Sequence, residues 1–359
     1  MPNIRLTLKT PDKINFNSWE ITNYLNRIAS YHYKHEALGE LLRMISKSES
    51  IGSAFVLSES FLIDRPYKFL SKINLGEKSV VSLLNIGKII PLIPNKLFSQ
   101  LNFSYDLLSL DYSIQETIES KKEPRTSYIS KNINQLIGDR FVEKYEEKIS
   151  QILRTVKRKE RSKIEKQLTQ LSKGYNSKRF IDFAEIEKLE KQTVQELTNN
   201  FRKRVSYLQR PVLGILTNKN QFIIAATDLI QNSEDSKSYF IIRDLSKENP
   251  VTINIDIFGD ILHDLIFPTK QRLQEELLQT DIDYKKQLII KQKLENIEKI
   301  LELHSKYYSY IENNKKGEAS YIETQLQFLL SEMQGDMARK SIRVSRGADI
   351  DIKSVNILA

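Results

Sequence analysis

Apolar and polar positions change period several times along this chain, and each change marks a boundary between elements. Ile4, Leu6 and Leu8 alternate with Arg5, Thr7 and Lys9, the period of a half-buried strand. Ser18 then suits a helix N-cap. Beyond it Ile21, Leu25, Ile28, Leu38, Leu42 and Ile45 recur at helical spacing, which predicts a helix from about Trp19 to Ser46. Apolar runs around Ala54–Ile63 and Tyr67–Leu75 read as strands, with Pro66 as the breaker between them. The most apolar window is Val80–Phe98, interrupted by Lys88, Pro91 and Pro94. A membrane-spanning helix needs about 20 apolar residues, so the window predicts a buried helix over Lys78–Ile90 that stops at Pro91.

From Asp139 to Ser172 the pattern is long and regular. Val142, Tyr145, Ile149, Ile152 and Val156 alternate by threes and fours, as a coiled-coil or helical-hairpin seam does. Gly174 suits a C-terminal cap. A second helix is predicted from Phe183 to Gln209, with Ile186, Leu189, Val194, Leu197, Phe201, Val205 and Leu208 facing inward and Pro211 ending it. An antiparallel hairpin joined near Gly174–Arg179 is the simplest arrangement. Short Ile-, Val- and Phe-rich runs follow at Val212–Thr217, Phe222–Thr227, Tyr239–Leu245 and Val251–Phe258, with turns at Asn218–Asn220, Asn232–Lys237 and Ser246–Pro250. They predict a four-strand antiparallel meander. From Pro268 the chain returns to helix, breaking at Thr280-Asp281. Ile290, Leu294, Ile297, Leu301, His304, Tyr308 and Ile311 form another seam. A short helix near Tyr321–Gln334 and an extended tail from Ile342 complete the pattern.

The fold class is therefore α+β, helix-rich, with long helical hairpins or coiled-coil seams and a small antiparallel meander. Three domains are expected: an N-terminal α+β domain over residues 1–135, a basic helical hairpin over 136–210, and the meander, long helices and extended tail over 211–359. Three separate seams exceed what one small hairpin needs, so a homo-oligomer is expected.

Composition sharpens this picture at two points. The chain has no cysteine, which removes disulfides, thiol nucleophiles and cysteine-ligated metal sites. No basic segment followed by an apolar one opens the sequence, so no secretory signal and a cytoplasmic setting are expected. The net charge of +9 is uneven. Residues 1–100 carry 13 Lys+Arg against 8 Asp+Glu, residues 101–210 carry 23 against 16, and residues 211–359 carry 19 against 22. An anionic partner for the first two thirds follows from that asymmetry.

The densest positive segment is Arg154–Lys166, and from Arg154 to Arg179 there are ten Lys+Arg against two Asp+Glu. On one continuous helix Arg154/Arg158, Lys157/Arg161 and Lys159/Lys163 would be like-charge pairs four residues apart, each costing roughly 0.2–0.5 kcal/mol. A surface selected for solubility alone intersperses the signs. Phosphates would compensate the repulsion, so Arg154, Lys157, Arg158, Lys159, Arg161, Lys163 and Lys166 are candidate contacts to DNA or RNA. Arg202, Lys203 and Arg204 would join them across the expected hairpin. A solvated helix face and a patch for an acidic protein are the competing readings.

Catalytic motifs are sparse. Gly76-Glu77-Lys78-Ser79 has the Lys-Ser ending of a phosphate loop but lacks the upstream glycine. His32, His35, Glu36 and Glu40 would lie within two turns of one helix and could serve zinc or manganese, although His35 also continues an apolar stripe as a core residue would. His263-Asp264 has no accompanying ligands, and His304 on its seam reads as a register device. Asp336 followed by Asp351-Ile352-Lys353 has the spacing of a Mg²⁺ nuclease site, with two carboxylates for the metal and a lysine orienting the attacking water. No cofactor, resident metal or membrane partner is expected.

The opening, Asn3–Thr10 followed by Phe16–Tyr33, resembles the strand-then-helix start of uncharacterised bacterial anti-phage defence proteins over roughly the first fifty residues. The resemblance implies a sensor or accessory role in a multi-protein immune system, and it carries over no catalytic residue. The expected function is a non-enzymatic nucleic-acid-binding or partner-binding subunit, with a Mg²⁺ nuclease at Asp336, Asp351 and Lys353 and an oligomeric helical scaffold as alternatives.

Overall fold

A computed structural model describes residues 3–9, 18–48, 53–62, 67, 70, 72–118, 123–176, 191–230, 240–246, 252–257, 291, 326–337, 340 and 351–358. The expectations for the helix after Pro268, the seam through His304 and the His263-Asp264 pair lie outside the described residues. The chain is helix-rich α+β and divides into two compact units. Residues 1–46, 232–320 and 324–359 make the first, and residues 47–231 with 321–323 make the second. This division crosses the boundaries read from composition, since residues 1–135 and 211–359 each contribute to both units.

In the first unit, strands β1 (Asn3–Lys9), β7 (Phe240–Ser246), β8 (Thr252–Ile257) and β9 (Asp351–Leu358) form an antiparallel sheet in the order β7-β8-β1-β9. The register aligns Ile4, Leu6 and Leu8 of β1 with Ile257, Ile255 and Ile253 of β8. A slip of one residue would break that match of apolar positions. The described part of the tail expected to be extended from Ile342 is β9, paired to β1 with a register shift between Thr7 and Leu8.

Helix α1 (Ser18–Ser48) belongs to the same unit and buries Leu25, Ile28, Tyr33, Leu38, Leu41 and Ile45. Residues 326–337 form a helix whose Leu326, Leu329, Leu330, Met333 and Met337 are buried at spacings of three and four. It approaches α1 closely. Gln334 Nε2 donates to the His35 carbonyl at 3.4 Å, and a Cβ at Gly39 would stand 2.7 Å from the same nitrogen.

Lys34 of α1 is only 3% exposed. Burial, and then the charge of Lys340, lower its pKa from 10.5 to about 8. Between pH 8 and 10.5 the unfolded chain therefore binds the lysine proton more fully than the folded one. Stability should rise with pH across that window by up to roughly 3 kcal/mol and be flat in this respect below pH 8. Urea unfolding of the wild type and Lys34→Met at pH 7.5, 9 and 10.5 measures it. The rise belongs to Lys34 if the variant loses it, and a rise that survives in the variant contradicts the assignment.

The second unit is built on a five-stranded antiparallel sheet, ordered β3-β6-β5-β2-β4. Its strands are β2 (Ala54–Ser60), β3 (Lys72–Asn74), β4 (Ile89–Pro91), β5 (Pro211–Leu216) and β6 (Gln221–Ile224). All six residues of β5 are buried, as a central strand covered on both faces requires. Phe55 of β2 meets Phe98 at 5.6 Å and Phe222 at 5.7 Å between ring centroids, both edge-on.

The expected meander forms as two hairpins in different sheets. β5 and β6 join through a turn in which Asn220 adopts φ 55°, and they pair with β2 and β3, whereas β7 pairs with β8 and β8 with β1. Alternation identifies a strand but does not name its partner.

The helices of this unit are α2 (Lys78–Ile86), α3 (Lys96–Ile118), α4 (Arg125–Leu136), α5 (Phe141–Thr155), α6 (Arg158–Asn176), α7 (Lys191–Tyr207) and the single turn α8 (Thr227–Ile230). α2 is shorter than the helix expected over Lys78–Ile90. Gly87 ends it and lies against β2, where a Cβ would stand 2.8 Å from the Glu59 nitrogen, so the chain turns directly into β4. Asn102 of α3 closes the β4 edge, accepting from Ile89 N at 3.0 Å and donating to Ile89 O at 2.7 Å. Among the described residues no helix is long and apolar enough to cross a membrane.

Candidate nucleic-acid interface

The basic segment does not run as one helix. α5 stops at Thr155, whose Oγ1 donates to the Ile152 carbonyl at 2.7 Å, and Val156 is extended at φ −80° and ψ 132°. α6 restarts from Lys157, whose carbonyl accepts from Glu160 N at 3.0 Å and Arg161 N at 3.1 Å. The break takes the expected Arg154/Arg158 and Lys157/Arg161 like-charge pairs off a single helix and leaves only Lys159/Lys163 on one.

α6 packs against α3 and α5 along a narrow line of Ile164, Leu168 and Tyr175. Tyr175 sits in an aromatic cluster with Phe141 at 4.8 Å and Phe103 at 5.4 Å. At 3.6 residues per turn, Lys159, Lys163, Lys166 and Lys173 fall on the side opposite that line. All four are exposed, as are Arg154, Lys157, Arg158 and Arg161. Arg161 pairs with Glu165 at 3.0 Å, whereas Arg154, Lys157, Arg158, Lys159, Lys163 and Lys166 make no ion pair among the described residues. Lys157, Arg158 and Lys159 also stand at the positive end of the helix dipole, where cations are disfavoured by roughly 0.3–1 kcal/mol each. A bound anion there would reverse the sign of that cost.

The platform behind this stripe is held by Asp111, which is 1% exposed on α3. Its carboxylate accepts from Tyr128 of α4 and from Gln115 Nε2 at 2.7 Å, and it pairs with Lys148 of α5 at 2.7 Å. Burial first, and then the hydrogen bond to Asp111, push the Tyr128 phenol above its ordinary range.

Among the described residues, Arg202, Lys203 and Arg204 stand on a helix separate from the one that carries the α6 stripe. Among the described residues α7 packs on β2 and β4, with no comparable packing along α6. Residues 177–190 between the two helices lie outside the described residues, and Gly174 falls within α6 instead of capping it. The buried face of α7 is Val194, Thr198, Phe201 and Val205, and Leu208 just beyond its end is buried too. Its outer side lines an open groove of about 1110 Å³ that includes Arg202, Lys203, Arg204 and Tyr207. Sequence reasoning passed over Tyr207, which is 81% exposed. Its only signal is an aromatic residue three positions after a run of three cations.

The remaining candidates are placed as follows. His32 and His35 are buried in α1, His35 Nδ1 lies 3.5 Å from Glu36, and no three His, Asp or Glu side chains converge on a metal-sized site among the described residues. Glu77 precedes α2, takes hydrogen bonds from the Asn74 and Ser79 side chains, and makes no side-chain bond to the backbone that opens the helix. Asp336 lies on the helix of residues 326–337, Asp351 opens β9, and Lys353 falls at its register shift. Comparison with family models, with curated proteins and with solved structures finds no match to this chain.

Proposed function

We propose that this chain is a non-enzymatic nucleic-acid-binding subunit that grips the phosphate backbone through α6 without reading sequence. One observation carries the reading: a stripe of exposed cations, unpaired among the described residues, stands opposite the line by which α6 packs. An ordinary solvated face would pair or alternate its charges. Phosphates spaced along a strand suit a row of separate cations, and backbone contacts carry no base information. The resemblance of the first fifty residues supports a place in a multi-protein cytoplasmic defence assembly, where such a subunit would supply the grip and other members the chemistry.

Fluorescence anisotropy with random-sequence duplex tests the reading. Binding should be indifferent to sequence and weaken steeply with salt. Affinity for polyglutamate but not for duplex would assign α6 to an acidic protein instead. No binding to either would leave it a solvated face.

A further inference from the structure

The groove along α7 differs in kind from the α6 stripe. Lys203 is exposed, and Arg202 and Arg204 are half-buried. Arg204 Nη1 reaches the Ser58 carbonyl at 3.5 Å, which holds its guanidinium against β2. Asn199 and Asn200, both exposed, line the groove one turn earlier, and Tyr207 stands one turn after Lys203. Tyrosine gains by burying its ring, so one left 81% exposed beside cations has an unused stacking face.

The cations alone have a structural explanation, because Lys and Arg in a last turn complement the helix dipole. That explanation accounts neither for the exposed ring nor for an open groove of about 1110 Å³ beside it. A duplex keeps its bases stacked on one another and offers no free base face to an aromatic side chain. A single strand offers both phosphates and bases, and one helical turn of about 5.4 Å between cation and ring is within the span of one nucleotide.

We propose that the α7 groove holds a short single-stranded segment of nucleic acid, with a base stacked on Tyr207, phosphates on Arg202 and Lys203, and Asn199 and Asn200 within reach of sugar or base edges. The inference takes its ligand class from the nucleic-acid reading of α6 and adds a second, strand-selective site. Stacking on an aromatic ring tolerates any base, so the groove would select for single-strandedness and not for sequence.

The test uses the full chain with a short 2-aminopurine-labelled single strand and with the matching duplex. Tyr207→Ala should weaken single-strand binding by about 5- to 150-fold, the range expected for one lost base–aromatic stack, and leave duplex binding unchanged. Tyr207→Phe, which keeps the ring, should bind as the wild type does. The 2-aminopurine emission should be quenched by the wild type and by Tyr207→Phe but not by Tyr207→Ala. Equal strand affinities in wild type and Tyr207→Ala overturn the inference, and so does a Tyr207→Phe variant as weak as the alanine one. The two readings fail separately. Steep salt dependence on duplex with no effect of Tyr207→Ala removes the groove alone. A Tyr207-dependent single-strand affinity without duplex binding removes the α6 reading alone.

Discussion

Replacing Lys157, Arg158, Lys159, Lys163 and Lys166 together by glutamine should weaken duplex binding on the order of a hundredfold or more near physiological salt. Each cation that neutralises one duplex phosphate contributes about 0.9 to the slope of log K against log salt, so five would remove roughly 4.5. The loss should be uniform across sequences, because backbone contacts carry no base information. The fold should tolerate the change. All five side chains are exposed, and the helix is held by Ile164, Leu168 and Tyr175 on the other side. Relief of the Lys159/Lys163 repulsion should raise stability by a few tenths of a kcal/mol. Anisotropy for binding and a thermal melt for stability read both quantities. Marked unfolding would mean that these side chains have partners in the fold, and an unchanged affinity would mean that α6 does not meet phosphate.

The largest stability effect is expected beneath the basic stripe, at Asp111. Asp111→Ala should cost about 3 kcal/mol, the lower end of the range for breaking a buried ion pair. It leaves Lys148, 20% exposed, without its carboxylate, and removes one acceptor each from Tyr128 and Gln115. Lys148→Met should cost less, because Asp111 keeps two hydrogen-bond donors and the methionine retains the apolar stem. The double variant should cost less than the sum of the two singles, since residues in one network couple by 0.5–3 kcal/mol. Urea unfolding of the four proteins completes the cycle. Strict additivity would show that the pair contributes no coupling. Because the network ties α3, α4 and α5 together under α6, Asp111→Ala should also loosen the platform of the basic stripe.

Some of this architecture was legible in the sequence because local spacing sets it. α1 is bounded within two residues of the expected span at each end, since its apolar positions recur by threes and fours. The β5–β6 turn was legible because asparagine tolerates the left-handed conformation that Asn220 adopts.

The break at Val156 was not legible. No glycine or proline marks it, and Val156 continues the apolar seam of Ile149 and Ile152 across the very point where the helix ends. Gly87 did carry a signal, but the apolar residues around it masked a helix end as helix interior. The sheet partners of β1 are β8 and β9, more than two hundred residues away along the chain, and no periodicity encodes such a pairing. The candidate site divides in the same way. The cations of α6 were visible as a charge run, but that all of them except Arg161 lack an ion pair among the described residues is a tertiary fact. The exposure of Tyr207 depends on how α7 seats on β2 and β4, which the helical spacing of its buried face does not specify.

The central claim is that α6 grips phosphate, and the salt dependence of duplex binding tests it most directly. Six cations of the segment are free of ion pairs among the described residues, namely Arg154, Lys157, Arg158, Lys159, Lys163 and Lys166. If each meets one phosphate, log K should fall against log salt with a slope near −5, a loss of about a thousandfold between 50 and 200 mM. A slope near zero, whatever the affinity, would contradict the account.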